Sequence, residues 1–179
     1  MPTAKRKDPV MGYNFLVSLN ESSSQLATVV IGVLAPPQAG FSECSGLEMS
    51  LQVEEYREGG NNGTVLKFPT RAAFGNIRLR RGLAISDDLW KWHYSFVQGK
   101  GKRRDGMIIL QNDRHEPVRV WRFVRGLPVK WSGPTLSAGQ SQVAIEELEI
   151  AHEGLSVTSA GAVGLISEAV EAVGSVLGL

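Results

Sequence analysis

Two-residue alternation of apolar and polar side chains recurs along this chain, a period that puts one set of side chains on a buried face and the other in solvent. Tyr13, Phe15, Val17 and Leu19 alternate with Asn14, Leu16 and Ser18, and Leu47, Met49, Leu51 and Val53 alternate with Glu48, Ser50, Gln52 and Glu54. Both stretches are expected as half-buried strands. Ile77 and Leu79 interleave with Asn76, Arg78 and Arg80, residues 107–110 form a short apolar run, and residues 118–124 are rich in β-branched and aromatic side chains. The expected fold class is mainly β.

One segment departs from that period. Leu89, Trp92, His93 and Phe96 stand at i, i+3, i+4 and i+7, the spacing of an amphipathic helix. Ser86 is placed to cap its start, Asp87 and Asp88 complement the positive end of the helix dipole, and Gly99 stands where a left-handed residue ends a helix. One short α-helix flanking a sheet is expected. Residues 142–152 are ambiguous, because Ala, Glu and Leu favour helix while their place late in a β-rich domain favours a closing strand. Turn chemistry at Ala35-Pro36-Pro37, Gln98-Gly99-Lys100-Gly101 and Ser132-Gly133-Pro134 separates these elements. The stretch Arg57, Glu58, Gly59, Gly60, Asn61, Asn62 and Gly63 lies between two strand-like runs, so it reads as a long exposed hairpin tip. Such a tip is either a loosely held loop or a contact for another subunit.

Bulk properties narrow the function classes. At 179 residues with 42% hydrophobic and 21% charged content, the chain suits one globular domain with a full core. Nineteen Lys and Arg against eighteen Asp and Glu leave a formal charge of +1, so net charge gives no pull toward nucleic acid or anionic lipid, and any such binding is local. Cys44 is the single cysteine, which excludes an intramolecular disulfide framework and suits a reducing compartment. Lys5, Arg6 and Lys7 give a basic N-terminal arm over residues 1–7, with no signal-peptide apolar stretch after it. Residues 160–179 are apolar but carry Glu168, Glu171 and four glycines, so membrane insertion is not expected.

Catalytic and metal constellations are weak. His93, His115 and His152 are far apart in sequence with no close His/Cys spacing, and Cys44 between Glu43 and Ser45 reads as a packing residue. Lys100, Lys102, Arg103 and Arg104 with Gly99 and Gly101 lack the Gly-Lys-Ser/Thr ending of a P-loop. They read as a basic surface loop, solvated or set against an acidic surface or a polyanionic cargo. Trp90 and Trp92 could stack on bases, but a helix burying Trp92 beside Leu89 and Phe96 needs no ligand. No enzyme activity, metal or cofactor is expected. A monomeric nucleic-acid-binding β-domain using the basic loop is the alternative from another class.

A series of short strings in fixed order carries a resemblance. They are Asp8-Pro9 before the strand at Asn14-Phe15, then Gly40-Phe41-Ser42-Glu43-Cys44-Ser45-Gly46-Leu47-Glu48, then Glu55-Tyr56-Arg57-Glu58-Gly59-Gly60-Asn61. Asn76-Ile77-Arg78-Leu79-Arg80-Arg81-Gly82 and Leu89-Trp90-Lys91-Trp92 follow, and then Trp121, Pro128-Val129-Lys130, Gly133-Pro134, Ala144-Ile145-Glu146 and His152-Glu153-Gly154-Leu155. Over residues 8–155 the chain resembles the phage tail tube family. The resemblance implies an antiparallel β-sandwich or barrel-like subunit with one flanking helix, closing into hexameric rings that stack into the inner tube of a contractile injection machine. The implied partners are further copies of the chain, a contractile sheath protein, baseplate or tube-initiator proteins, and a tape-measure or effector cargo in the lumen. A virion or phage tail-like particle assembled in the cytoplasm is the implied setting.

With that architecture, Glu48, Ser50, Gln52 and Glu54, together with Arg78 and Arg80, are expected on the polar lumen face, although a solitary sandwich with one wet face would show the same alternation. Arg57, Glu58, Gly59, Gly60, Asn61 and Asn62 are assigned to ring stacking, which needs a projecting feature on one face. The tail tube domain is expected over residues 8–157, followed by an extension over 158–179. In that extension Ile166, Val170, Val173 and Leu177 form a narrow apolar stripe suited to docking on a partner, helical when bound and otherwise disordered. Two features depart from the family: this extension, and the apolar stretch 25–38, an extra strand or an insertion. An ordered tail would suit a specialised tube-initiator or terminal ring at the baseplate.

Overall fold

In a computed structural model the chain is an antiparallel β structure with one helix among the residues described, which are 9–21, 40–60, 63–84 and 86–159. The basic arm over residues 1–7, the stretch 25–38, Asn61, Asn62 and the stripe Ile166, Val170, Val173 and Leu177 lie outside the described residues. The elements in chain order are β1 (Phe15–Glu21), β2 (Glu43–Ser45), β3 (Met49–Tyr56), β4 (Leu66–Phe74), β5 (Ile77–Gly82), α1 (Asp88–Val97), β6 (Arg104–Gln111), β7 (Pro117–Ser132), β8 (Ile145–Ala151) and β9 (Gly154–Ser159).

Seven strands form one antiparallel sheet in the order β1-β6-β7-β8-β5-β2, with β9 joining β7. The sixteen-residue β7 organises it. Its first part pairs with β6 on one side and β9 on the other, and its second part, from Leu127, pairs with β8. The change of partner occurs at Arg125, which takes φ 54°, the left-handed region that costs a side chain energy. The corner is held by Asp105, whose Oδ1 accepts from the Arg125 backbone N–H at 2.8 Å, and by Glu153, which accepts from Arg125 Nε at 2.7 Å.

The core lies between the two parts of the sheet and the helix. Val17 and Leu19 of β1, Ile77 and Leu79 of β5, Leu89 and Trp92 of α1, Ile108 of β6, Phe123 of β7, and Leu148 and Ile150 of β8 are all buried together. Phe123 passes so close to Gly106 that a methyl group there would overlap its ring. On the opposite face of β6, Met107 and Ile109 are buried with Val120, which explains why this strand reads as a continuous apolar run rather than an alternating one. Tyr13 was expected on the buried side of β1, but it precedes the strand, is exposed, and donates its hydroxyl to Asp113.

Helix α1 follows its periodicity, burying Leu89 and Trp92. Its N-cap is Asp87 rather than the expected Ser86, whose hydroxyl donates to Asp88 Oδ1 at 2.6 Å instead of reaching the backbone. At the other end Gly99 takes φ 72°, and the Gly99 and Lys100 N–H groups donate to the Phe96 and Ser95 carbonyls. That pair of bonds is a Schellman ending. Residues 145–151 are strand β8. Strand pairing on both sides, with Leu148 and Ile150 in the core, outweighs the helix propensity of Glu and Leu.

One buried polar network locks helix to sheet. Arg81 and Glu146 are 1% and 3% exposed, and Arg81 Nε donates to Glu146 Oε1 at 2.6 Å. Arg81 Nη2 also donates to Asp88 Oδ1 at 2.8 Å, and Trp131 Nε1 donates to the other oxygen of Glu146 at 3.0 Å. Burial would raise the Asp88 carboxyl, but hydrogen bonds from Arg81 and Ser86 hold it below the usual carboxylate value. Four elements, β5, α1, β8 and β7, thus meet at one satisfied charge cluster.

Candidate assembly site

Strands β3 and β4 form a separate two-stranded sheet. β2 leads into it through Gly46, which has φ 82° and lies so close to the Asn76 carbonyl that no side chain would fit. A bulge in β4 near Pro69 shifts the register between the Leu51 and Val53 pairs. Met49, Leu51 and Val53 therefore share a face with Ala72 and Phe74, while Ser50, Gln52 and Glu54 point to the other.

The expectation that Met49, Leu51 and Val53 are half-buried is overturned. They are 63%, 58% and 51% exposed, and every residue of β3 is exposed. Leu47, just before the strand, does pack on the core. The alternation correctly marks a strand, but among the described residues nothing forms a layer over its apolar side. The polar side is also mixed: toward the tip Tyr56 meets Phe68 edge-on at 6.5 Å.

Arg57, Glu58, Gly59 and Gly60 are exposed at the tip between β3 and β4, as expected of a projecting hairpin, with Gly60 at φ 89°.

Arg78 and Arg80 stand on the exposed side of β5, whose other side carries Ile77 and Leu79 into the core. Register places Glu43 and Glu147 on either side of Arg80, and Ser45 and Glu149 on either side of Arg78. Arg80 Nη1 meets Glu43 at 3.0 Å, Arg80 Nε meets Glu147 at 3.4 Å, and Arg78 Nε meets Glu149 at 4.0 Å. Asn76 Nδ2 also donates to Glu149 at 2.8 Å. Glu48 joins this face, lining a shallow cavity of about 350 Å³ with Ser45, Asn76, Arg78 and Glu149. Opposite charges thus alternate across β2, β5 and β8, leaving the face hydrated but without a strong field of one sign. Sequence reasoning missed Glu43, Glu147 and Glu149; the alternation of Glu147 and Glu149 with Leu148 and Ile150 was the available signal.

The basic loop of Lys100, Lys102 and Arg103 connects α1 to β6, which Arg104 begins. Arg103 pairs with Glu153 at 2.9 Å, and Arg104 lies over the Trp92 ring, 4.8 Å from its centroid. Trp90 stacks on Tyr94 at 4.6 Å. Cys44 packs against the core, and burial beside Glu43 pushes its thiol up to about 11, far from a nucleophile's range. Among the described residues no group of three His, Cys, Asp or Glu is placed to hold a metal ion, and no helix is long and apolar enough to cross a membrane.

Comparison with solved structures places this architecture. A chain in the cryo-EM structure of the anti-feeding prophage baseplate, 6-fold symmetrised, is 25% identical with a TM-score of 0.73, over 87% of this chain and 99% of that one. A chain of the PVC sheath-tube complex, an extracellular contractile injection system in its extended state, is 24% identical with a TM-score of 0.69, over 84% and 92%. A chain of the anti-feeding prophage tube terminating cap is 21% identical with a TM-score of 0.73, over 88% and 96%. No curated protein sequence matches significantly. The family model of the T4-like virus tail tube protein gp19 matches residues 12–156, nearly the whole of the described sheet and helix, and the chain belongs to that family.

Proposed function

We propose that the chain is a structural, non-enzymatic subunit of the inner tube of a contractile, phage tail-like injection machine, closing with identical copies into hexameric rings that stack around a hollow lumen. The observation that carries this reading is the β3–β4 hairpin, which exposes Met49, Leu51 and Val53. A two-stranded hairpin is marginally stable alone in water, and a row of exposed apolar side chains, on strands whose outer edges pair with no other described strand, calls for cover by another chain. A neighbouring copy supplies that cover in a closed ring, where every subunit both offers and receives the same contact.

In this arrangement the charge-balanced face of Arg78, Arg80 and Glu48, continued by Ser50, Gln52 and Glu54, lines the lumen and lets cargo pass without adhering. Arg57, Glu58, Gly59, Gly60, Asn61 and Asn62 reach the next ring. The outer side meets a sheath protein and the end of the tube meets a baseplate, in keeping with the assemblies that contain similar chains. The residues beyond β9, which runs to Ser159 and so past the expected boundary at 157, act as an extension docking on a partner through Ile166, Val170, Val173 and Leu177. Because one similar chain is from a baseplate structure, a specialised ring at the tube's start or end is the second reading.

Negative-stain electron microscopy over a concentration series, on the full chain and on a chain ending at Ser159, tests the proposal. Rings and stacked tubes from both are expected. Rings that stack only after truncation favour the specialised ring, and a monomer at every concentration overturns self-assembly.

A further inference from the structure

The hairpin tip and the far end of β5 are opposite ends of one ribbon. In the β2–β5 pair Glu43 stands opposite Arg80 and Ser45 opposite Arg78, and in the hairpin Met49 stands opposite Phe74 and Leu51 opposite Ala72. No residue is gained or lost on either side between the two pairs, and the bond from the Gly75 N–H to the Glu48 carbonyl lies between them. From Leu66 to Gly82 the path along β4 and β5 runs roughly 50 Å at about 3.3 Å per residue. The hairpin makes no extensive contact with β8, which flanks the far end of β5.

Both ends of this ribbon expose apolar side chains. At the tip Tyr56 stands opposite Leu66, and Phe68 meets Tyr56 edge-on, so the three share one side, and all are exposed. At the other end Gly82 stands opposite Ile145, the Leu83 N–H donates to the Ala144 carbonyl at 2.7 Å, and Val143 lies 3.6 Å from where a side chain at Gly82 would begin. Leu83, Val143 and Ile145 are therefore neighbours, and all three are exposed. Grouped apolar side chains of this kind mark contact surfaces.

The charges beside the two clusters are complementary. Arg57 and Glu58 are exposed at the tip. At the other end Arg81 Nη2 donates to the Ser86 carbonyl at 3.3 Å, which holds Asp87 nearby, and Asp87 lies 3.8 Å from Lys91 in a well-exposed pair. Asp87 suits Arg57 and Lys91 suits Glu58, an arrangement that fixes orientation more than it adds affinity. A contact between unlike ends of identical chains leaves one end of each kind free, so it repeats along an axis. Repetition around a ring multiplies a small contact into a firm junction. We propose that the tip of one copy docks on the Gly82 end of a copy in the next ring, seating Tyr56, Leu66 and Phe68 against Leu83, Val143 and Ile145. This rests on the stacked-ring reading and names the surface that the tip meets.

The test is a cysteine pair in the full chain, Leu66→Cys with Val143→Cys, assembled and mildly oxidised, then run on a non-reducing gel. Cys44 is packed on the core and stays out of the reaction. Disulfide-linked chains longer than one hexamer, reversed by reductant, are expected. In electron micrographs Val143→Asp, a change at an exposed residue outside the strands, should keep rings and lose stacking. Cross-links that are absent or stop at one hexamer while the parent forms tubes overturn the contact and leave the ring reading standing. Stacking by Val143→Asp equal to the parent's does the same. A parent that forms no rings under any condition removes the ring reading and this contact with it.

Discussion

Strands β5 and β3 carry the same kind of sequence, apolar side chains at every second position with polar or charged ones between, yet they stand in opposite surroundings. In β5, Ile77 and Leu79 are fully buried, and between and beside them Arg80 meets carboxylates on both neighbouring strands and Arg78 meets one on β8. In β3, Leu51 and Val53 are exposed, and β4 is the one strand pairing with it among the described residues. Alternation therefore specifies a strand with two unlike faces and says nothing about which molecule covers the apolar one. In β5 the cover belongs to the same subunit, and in β3 none of the described residues supplies it.

The largest effect should come from breaking the anchor of the covered side. Arg81→Ala leaves Glu146 buried without its partner and should cost about 3–5 kcal/mol, read from the urea midpoint of the protein under non-assembling conditions. Next comes a matched pair of truncations. Leu79→Ala in β5 should cost about 2–5 kcal/mol, whereas Leu51→Ala in β3 should fall within about 0.5 kcal/mol in the dispersed subunit. Equal losses in the two variants would erase the distinction between the strands. Leu51→Glu sharpens it further, with monomer stability close to the parent's and ring formation lost by sedimentation velocity.

A smaller effect is expected from pH. His152 lies between the Phe74 and Phe123 rings at 5.5 and 5.9 Å, and Nδ1 donates to the Gly154 carbonyl at 3.1 Å. Burial lowers its pKa below the usual 6.5. The unfolded chain therefore binds the proton more readily, so this contribution is complete above about pH 6.5 and is lost as pH falls toward the folded value. Urea midpoints should decline over that window in the parent and decline less in His152→Gln. The smallest change is expected at Arg80→Gln, about 0–1 kcal/mol, since its ion pairs are partly exposed.

The elements legible in the sequence were those whose period and cover agree: β1 from Val17 and Leu19, β5 from Ile77 and Leu79, and α1 from Leu89 and Trp92. β8 was ambiguous because Glu146, Glu147 and Leu148 favour helix locally, and the pairing that decides the matter comes from strands distant in sequence. β4 gave little signal, because Pro69 and the bulge beside it interrupt the alternation of Leu66, Phe68 and their neighbours. Arg78 and Arg80 were readable as a polar face, but their carboxylate partners depend on register across three strands.

Strand β7 also has a mechanical consequence. One unbroken run of covalent chain passes from the part bonded to β6 and β9 into the part bonded to β8, with Arg125 clamped at the corner. A thrust that slid one part past the other would pull along this strand and strain its row of hydrogen bonds together rather than opening them singly. The sheet is thus continuous in covalent chain through β7, whereas the hairpin joins it through the short links 46–48 and 75–76, which bond to each other where Gly75 N–H donates to the Glu48 carbonyl.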